Sequence, residues 1–265
     1  SAVEGLTVAN PDAEKIVLPA SVVILTGYGE SAEQWFETAR ALNAADYDLW
    51  ILEGAGQGGS ARYTAVTDIG YLPNFDADIL ALPALIRHLV RPPAGRPVYV
   101  IASGAAWLPA LAALERRAPV TRLIVTDPQE PTPPRTPPDR QPKARLATGQ
   151  ENWKRPDLAR LPRRRRAAAA WAVANPDLRM GGASWGWFSA RRRLSQDTLQ
   201  PLKLATVQTP VTVLSHAPGA VPCPQLPHCL DVPLADSVPY HQAEDKVRDP
   251  WFRALLAALQ PDHAL

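Results

Sequence analysis

The stretch that decides the fold is residues 97–114, PVYVIASGAAWLPALAAL. Residues 98–101 form a short apolar run rich in β-branched side chains, which is typical of a buried strand in a parallel sheet. Trp107, Leu111 and Leu114 follow at helical spacing. Only small residues separate the two patterns, so the stretch predicts a buried strand that passes through a tight turn directly into a helix.

Strand and helix patterns alternate along the rest of the chain. Strand patterns occur at residues 21–26, 48–52, 122–126 and 209–215. Apolar residues at helical spacing mark residues 75–89 and a terminal helix from residue 249 to residue 259. Strands that alternate with helices in this order are joined by right-handed crossovers and pair in parallel. The predicted fold class is therefore α/β, with a mostly parallel, doubly wound sheet.

The charge balance excludes one class of partner. With 28 Lys and Arg against 26 Asp and Glu, the formal net charge is +2, which is too small to predict nucleic-acid binding. No apolar run approaches the roughly 18 residues that span a bilayer, and the N-terminus lacks the basic and apolar regions of a signal peptide. We expect a soluble, cytoplasmic protein, and a peripheral or processed protein stays open as an alternative.

The composition changes in the middle of the chain. Residues 129–143 are rich in proline and poor in apolar side chains, which is typical of an extended link. Residues 150–194 return to helical composition before the strand pattern resumes. The pattern predicts the first part of an α/β core at residues 1–128, a proline-rich link and helical cap at residues 129–205, and the second part of the core at residues 206–265.

The turn of small residues after the predicted strand at residues 98–101 is similar to the nucleophile elbow of α/β-hydrolases. That elbow has the pattern G-x-S-x-G and presents its serine on a strained turn before a helix. The aligned residues here are 102–106, ASGAA, so Gly104 occupies the nucleophile position. Because glycine has no side chain, it cannot attack a carbonyl carbon.

Further motifs extend the similarity over nearly the whole chain. They are residues 27–31 (GYGES) with Trp35 and Phe36, residues 56–60, residues 70–75, and residues 175–182 (NPDLRMGG) with residues 185–187 (WGW). With these motifs the chain resembles the bacterial lysophospholipase and monoacylglycerol-lipase-like α/β-hydrolases, also described as serine aminopeptidase-like. The resemblance implies hydrolysis of lipid carboxylic esters by a Ser-His-Asp triad, without metal or organic cofactor. It also implies an oxyanion loop and pocket formed by Gly27, Tyr28, Gly29 and Ala105.

The chain departs from this family pattern at the positions of the catalytic residues. Gly104 stands in place of the serine, and residues 217–221 (APGAV), where the family carries its acid, contain no carboxylate. His241 lies just before the terminal helix, at the position of the family's histidine. Removal of a triad member costs about four to six orders of magnitude in rate. The sequence thus predicts a non-catalytic pseudo-hydrolase with a ligand- or partner-binding role, in which His241 is a relic base.

An active carboxylic ester hydrolase is the alternative. A one-residue shift of the elbow would make Ser103 the nucleophile, and Asp127, at the tip of the strand at residues 122–126, could be the acid partner of His241. Each residue also has a simpler interpretation. Ser103 would then satisfy turn amides, Asp127 would cap a turn, and His241 would be an ordinary surface histidine.

Two cysteines and two histidines lie close together near residue 220. Cys223, Cys229, His216 and His228 are residue types that bind zinc, but the Cys-x-x-Cys spacing and the usual histidine pair are absent. We therefore predict no metal site, and buried thiols or one local disulfide remain open.

The cap combines tryptophans with clustered arginines, which suit an interface that has apolar and anionic parts. A solvated helix face is the simpler interpretation of the same charges. We expect the cap to dock onto a protein partner or an anionic membrane surface, and a lipid-like small molecule to bind in the pocket below it. The expected contact residues are Trp153, Arg163, Arg164, Arg165, Arg166, Trp185, Trp187, Arg191, Arg192 and Arg193.

Overall fold

The computed structural model of the chain describes residues 20–128, 160–217, 219–236, 238 and 240–260. In these residues one sheet is formed by β1 (Ser21–Leu25), β2 (Asp48–Leu52), β3 (Val98–Ser103), β4 (Arg122–Thr126), β5 (Val211–Ser215) and β6 (Cys229–Pro233). The strand order is β2-β1-β3-β4-β5-β6, and each neighbouring pair is parallel. The predicted α/β fold with a parallel sheet is confirmed.

Helices follow the strands along the chain. They are α1 (Phe36–Asn43), α2 (Asp76–Leu85), α3 (Trp107–Glu115), α4 (Pro162–Ala174), α5 (Trp185–Thr198), α6 (Pro201–Leu204) and α7 (Asp245–Ala258). α2 is shorter than predicted because Ile86–Val90 continues it as a π-helical segment. β6 was not predicted, because its segment is rich in proline, a residue that a sheet tolerates at its edge.

Helices cover both faces of the sheet. Successive strand residues point to opposite faces, so Val100 packs with residues of α2, α3 and α5, whereas Ile101 packs with residues of α1 and α7. On the second face, Trp35 and Trp251 are fully buried and their ring centroids lie 6.3 Å apart. The doubly wound arrangement buries β3 and β4 completely.

The carboxyl ends of the central strands converge on one edge of the sheet. The register pairs Ser103 with Thr126, so the turns that begin at Gly104 and Asp127 leave the sheet side by side. The loop after β1 touches the first of these turns. A Cβ atom on Gly27 would lie 3.0 Å from the carbonyl oxygen of Ser103. A glycine at this position therefore allows the close approach of the two loops.

The described part of the cap is held to the core by backbone contacts. Gly70 and Ala183 form a β-bridge, and the hydroxyl of Tyr28 donates a hydrogen bond to the carbonyl of Gly181 at 3.2 Å. Trp153 and the proline-rich link lie outside the described residues, so the cap boundaries remain a prediction. Among the described helices, none has the length and apolarity that a bilayer crossing requires.

Cys223, in the loop that follows β5, forms a disulfide with Cys229, the first residue of β6. This result decides between the alternatives of buried thiols and one local disulfide. Within the described ranges, no cluster of three or more His, Cys, Asp or Glu side chains could hold a metal ion.

Candidate active site at the elbow

The turn after β3 contains a glycine in a left-handed conformation. Gly104 has a φ of +48°, in a backbone region that residues other than glycine rarely adopt. Ser103 precedes it with extended backbone angles, φ −92° and ψ 145°, as the last residue of β3. The strained position of the elbow thus carries no hydroxyl group.

The Ser103 hydroxyl is bound to a buried carboxylate. It donates a hydrogen bond to Oε1 of Glu30 at 2.8 Å, and both residues are almost completely buried. Oε2 of Glu30 accepts from the backbone amide of Gly27 at 2.9 Å and from the indole of Trp35 at 3.1 Å. Burial raises the pKa of Glu30 to about 7, and the charge of Asp127 acts in the same direction.

The backbone amides of the predicted oxyanion loop donate hydrogen bonds to side chains of the protein itself. The amide of Gly27 is bound to Glu30, and the amide of Gly29 donates to Oε1 of Gln57 at 3.0 Å. Gln57 also donates to the carbonyl of Gly27 at 2.8 Å. An oxyanion hole needs free donors aimed at the reacting oxygen, so these two amides do not supply one in this conformation.

Asp127 and His241 meet at the end of β4. Nδ1 of His241 lies 2.6 Å from Oδ1 of Asp127, and the backbone amide of His241 donates to Oδ2 at 2.8 Å. Asp127 has a φ of +47°, a strained conformation that directs its carboxylate to the histidine. Both residues are buried. The structure therefore brings together the histidine and the alternative acid, and it gives His241 an interior position rather than a surface one.

The other ring nitrogen of His241 faces a carbonyl oxygen. Nε2 lies 2.9 Å from the backbone oxygen of Asp236. A carbonyl oxygen can only accept, so this contact requires a hydrogen on Nε2. In a catalytic triad the same nitrogen must accept the proton of the nucleophile, and here its lone pair is not available for that step.

A cavity of about 270 Å³ lies beside the elbow, under the cap. Its walls are mainly apolar and include Ala105, Ala106 and Trp187. Oδ1 of Asp78, another lining residue, accepts from the amide of Ala55 at 2.9 Å, and burial raises the pKa of Asp78 to about 6. Of the predicted oxyanion residues, Tyr28 and Ala105 line this cavity.

Comparison with known proteins identifies the family. The model of the serine aminopeptidase S33 family matches residues 18–218, which is well over half of the chain. The chain belongs to the serine aminopeptidase S33 family. The resemblance to lysophospholipase- and monoacylglycerol-lipase-like α/β-hydrolases is thereby confirmed.

Solved structures of lipases and esterases share the fold. A soluble variant of monoglyceride lipase from Saccharomyces cerevisiae superimposes with a TM-score of 0.63 at 14% identity, covering 94% of this chain and 88% of the lipase. A thermostable carboxyl esterase from Bacillus coagulans gives 0.65 at 12% identity, with coverages of 91% and 90%. The monoacylglycerol lipase of Paleococcus ferrophilus gives 0.56 at 14% identity, with coverages of 89% and 92%. At these identities the likeness establishes the fold alone.

One curated relative matches only locally. The probable potassium transport system protein Kup of Cutibacterium acnes is 56% identical over 67 residues, which span 20% of this chain and 10% of that protein. A match to a tenth of a protein carries no inference about its activity.

Three predicted contact residues of the cap are buried in this S33 family member, so their prediction as surface residues is wrong. Trp185, Trp187 and Arg191 are 9%, 3% and 4% exposed. Trp187 packs edge-on against Tyr28 and Phe75, with ring centroids 5.1 and 5.8 Å away. The guanidinium of Arg191 lies 5.5 Å from the ring centroid of Trp107 and 5.9 Å from that of Phe75. These residues attach α5 to the core.

Several of the remaining cap arginines have identified partners in the core or on their own helix. Arg164 binds Glu37 and Asp245, and Arg163 also forms an ion pair with Asp245. Arg193 donates to the hydroxyl of Ser189 and to the carbonyl of Pro73, both at 2.8 Å. Arg163 and Arg193 are exposed at the surface, as are Arg165, Arg166 and Arg192, whereas Arg164 is half-buried.

The sequence does not point to Glu30 as a site residue, and it indicates Asp127 only as an alternative acid partner of His241. Glu30 lies in the quoted GYGES motif, where a carboxyl group among glycines and apolar residues is the signal that could have marked it. Asp127 ends a strand adjacent to β3 in the sheet, and adjacent parallel strands place their ends together. Without the strand order, the sequence could not show that Asp127 and His241 meet.

Proposed function

We propose that this chain is a non-catalytic member of the S33 family that binds a lipid-like small molecule beneath its cap. One observation carries the proposal: the left-handed residue of the elbow is Gly104, which has no hydroxyl group. The nearest serine, Ser103, is hydrogen-bonded to Glu30 in the interior. Nucleophilic catalysis needs an activated side chain within reach of its base, and neither residue supplies one.

The cavity supports the binding part of the proposal. It persists next to the elbow with mainly apolar walls and a few polar groups, such as Tyr28, Gln57 and Asp78. Apolar cavities with few, fixed polar groups are typical of small-molecule sites. An acyl or alkyl chain would contact the apolar wall, while a hydroxylated head group would contact the polar residues.

Calorimetry and an ester assay test both parts. Titration with 1-O-dodecylglycerol, an ether that no esterase can cleave, should give saturable heat. Ala106→Phe fills the cavity and should weaken the affinity at least about tenfold, whereas Ala170→Phe, on the exposed face of α4, should leave it unchanged. Wild-type protein should not hydrolyse p-nitrophenyl butyrate above the background rate. Absence of saturable binding would remove the ligand proposal, and turnover lost in His241→Ala would remove the non-catalytic one.

The Asp127–His241 pair favours a second candidate, an active carboxylic ester hydrolase. Its separation of 2.6 Å is that of a base and its orienting acid. For this function, the hydrogen bond between Ser103 and Glu30 would have to break. The contact between Nε2 of His241 and the carbonyl of Asp236 would also have to break. The same ester assay decides between the two candidates.

The proposal includes a docking role for the cap. The exposed Arg165, Arg166 and Arg192 support attraction to an anionic surface, either a membrane or an acidic protein. Such attraction is screened over about 8 Å at physiological ionic strength, so binding to anionic vesicles should weaken as salt is added. Replacing the three arginines with glutamine should abolish vesicle binding at low salt, and unchanged binding would remove the docking role.

A further inference from the structure

A second cavity, of about 260 Å³, lies beside α4. It is formed by the 3-10 turn Ala32–Trp35 and the start of α1, by α4 and by the turn His241–Ala243. It has no lining residue in common with the cavity beside the elbow. The described lining residues are Glu33, Gln34, Phe36, Glu37, Arg164, Arg165, Ala167, Ala168, Trp171, Gln242 and Ala243.

Polar groups of this cavity lack hydrogen-bond partners. Gln242 is only 3% exposed, yet neither Oε1 nor Nε2 of its amide has a partner. Oε1 of Gln34 and Oε2 of Glu33 are also buried without a partner. Burying an amide without a hydrogen bond destabilises the folded state, and buried polar groups in folded proteins are nearly always satisfied. An occupant that donates and accepts hydrogen bonds would remove this cost.

The charges of the cavity are separated. Glu37 and Arg164 neutralise each other, with oxygen–nitrogen distances of 2.7 and 2.9 Å. Among the described residues, neither Glu33, which precedes α1, nor Arg165 on α4 takes part in an ion pair. The cavity therefore offers one carboxylate and one guanidinium from different elements, with no net charge. This pattern matches a ligand that carries both signs of charge.

An aromatic pair supplies the apolar wall. Phe36 and Trp171 are 48% and 44% exposed, although both are large apolar residues. Their ring centroids lie 6.0 Å apart, at an angle of 85°. Exposed aromatic rings that line a cavity favour an apolar or aromatic group of the ligand, and the ring faces also attract an ammonium group.

We propose that this cavity is a binding site for a free α-amino acid with an aromatic side chain. The ammonium group binds Glu33 and the amide oxygens of Gln34 and Gln242, the carboxylate binds Arg165 and Nε2 of Gln242, and the side chain packs on Phe36 and Trp171. The site is separate from the elbow, so it does not depend on the ligand or the chemistry proposed there.

Calorimetric titration with L-phenylalanine tests the site, with 2-phenylethylamine and 3-phenylpropionate as probes that each lack one charged group. We expect saturable heat with L-phenylalanine and at least about tenfold weaker binding of the other two. Glu33→Gln should weaken L-phenylalanine and the amine but not the propionate. Arg165→Gln should weaken L-phenylalanine and the propionate but not the amine. Arg166→Gln, a neighbouring exposed arginine outside the cavity, is the matched control.

Two results would overturn the proposal. Absence of saturable heat with L-phenylalanine would mean that the cavity holds water only. Equal binding of all three probes, unaffected by Glu33→Gln and Arg165→Gln, would mean nonspecific contact. Arg165 is exposed and Glu33 is half-buried, and thermal unfolding of each variant verifies that it folds. Ala106→Phe should leave L-phenylalanine binding unchanged, which separates this site from the cavity beside the elbow.

Discussion

Glu30 lies in the interior with three hydrogen-bond donors around its carboxylate: Ser103, Gly27 and Trp35. Despite these donors, burial raises its pKa from 4.5 to about 7. The folded protein therefore holds a proton that the unfolded chain releases between these two pH values. By proton linkage, stability decreases as the pH rises through this window and then stays constant.

The first prediction concerns this pH dependence. Glu30→Gln keeps the acceptor for Gly27 and Trp35, and its amide can donate to Ser103. We expect the free energy of unfolding of the wild type to fall between pH 4.5 and 7 by about 3 kcal/mol more than that of Glu30→Gln. Urea unfolding at a series of pH values measures the difference. Parallel curves for the two proteins would show that Glu30 does not titrate in this window.

Glu37→Gln is the matched control, because the ion pair with Arg164 lowers the pKa of Glu37. The pH dependence therefore has the opposite sign. The part of the wild-type free energy of unfolding that depends on Glu37 is lost as the pH falls.

The second prediction concerns Arg191, which is stacked between Phe75 and Trp107. Arg191→Ala removes a buried cation–π contact and the packing of the side-chain stem. We expect it to lower the free energy of unfolding by about 2–3 kcal/mol. Arg192→Ala, at the exposed neighbouring position, should change it by less than about 0.5 kcal/mol. Equal effects of the two substitutions would contradict the buried position of Arg191.

Among the secondary-structure elements, α4 is held to the core by ion pairs. The guanidinium of Arg164 binds Glu37 on α1 and Asp245 at the start of α7. Because α7 follows the turn that carries His241, the same ion pairs connect the cap to the segment next to His241. Partly exposed ion pairs contribute little singly, and more when they form a network.

The third prediction tests this connection. Arg164→Gln should increase hydrogen exchange in α4 and lower the free energy of unfolding by about 1 kcal/mol at low salt, with a smaller effect at high salt. Arg165→Gln, one residue along the helix, should leave the exchange of α4 unchanged. If both variants exchange alike, the ion pairs of Arg164 do not hold the helix.

The sequence predicted the elements of this fold better than the contacts between them. Buried parallel strands and the strand–turn–helix at β3 have strong local patterns, so the sheet could be predicted. The sequence predicts the whole run Arg191–Arg193 at the surface. In a helix, however, successive residues point about 100° apart, so Arg191 faces the core while Arg192 faces solvent. The Asp127–His241 contact joins residues 114 positions apart, and no local pattern reports such a contact.

At the scale of the whole molecule, the chain has the S33 fold and a cavity beside the elbow, and Gly104 is the left-handed residue of that elbow. Binding sites in open α/β sheets lie at the carboxyl ends of the strands, whether or not chemistry follows there. The proposed binding role therefore rests on Gly104 at the elbow, on the hydrogen bond of Ser103 to Glu30 and on the bound amides of Gly27 and Gly29.

The fourth prediction is that Gly104→Ser alone restores little hydrolysis. The introduced hydroxyl would meet a His241 whose Nε2 faces the Asp236 carbonyl, and the amides of Gly27 and Gly29 would stay bound to Glu30 and Gln57. Turnover of p-nitrophenyl butyrate by this variant measures the outcome. A kcat within the ordinary enzyme range of roughly 1–1000 s⁻¹ would show that the rest of the site is ready for catalysis.

Intact-mass analysis of the wild-type protein after incubation with a fluorophosphonate detects a reactive serine, because this reagent modifies serines that a base activates. We predict no adduct, since Gly104 offers no oxygen and Ser103 is bound to Glu30. One adduct per chain that is absent from Ser103→Ala, and greatly slowed in His241→Ala, would contradict it.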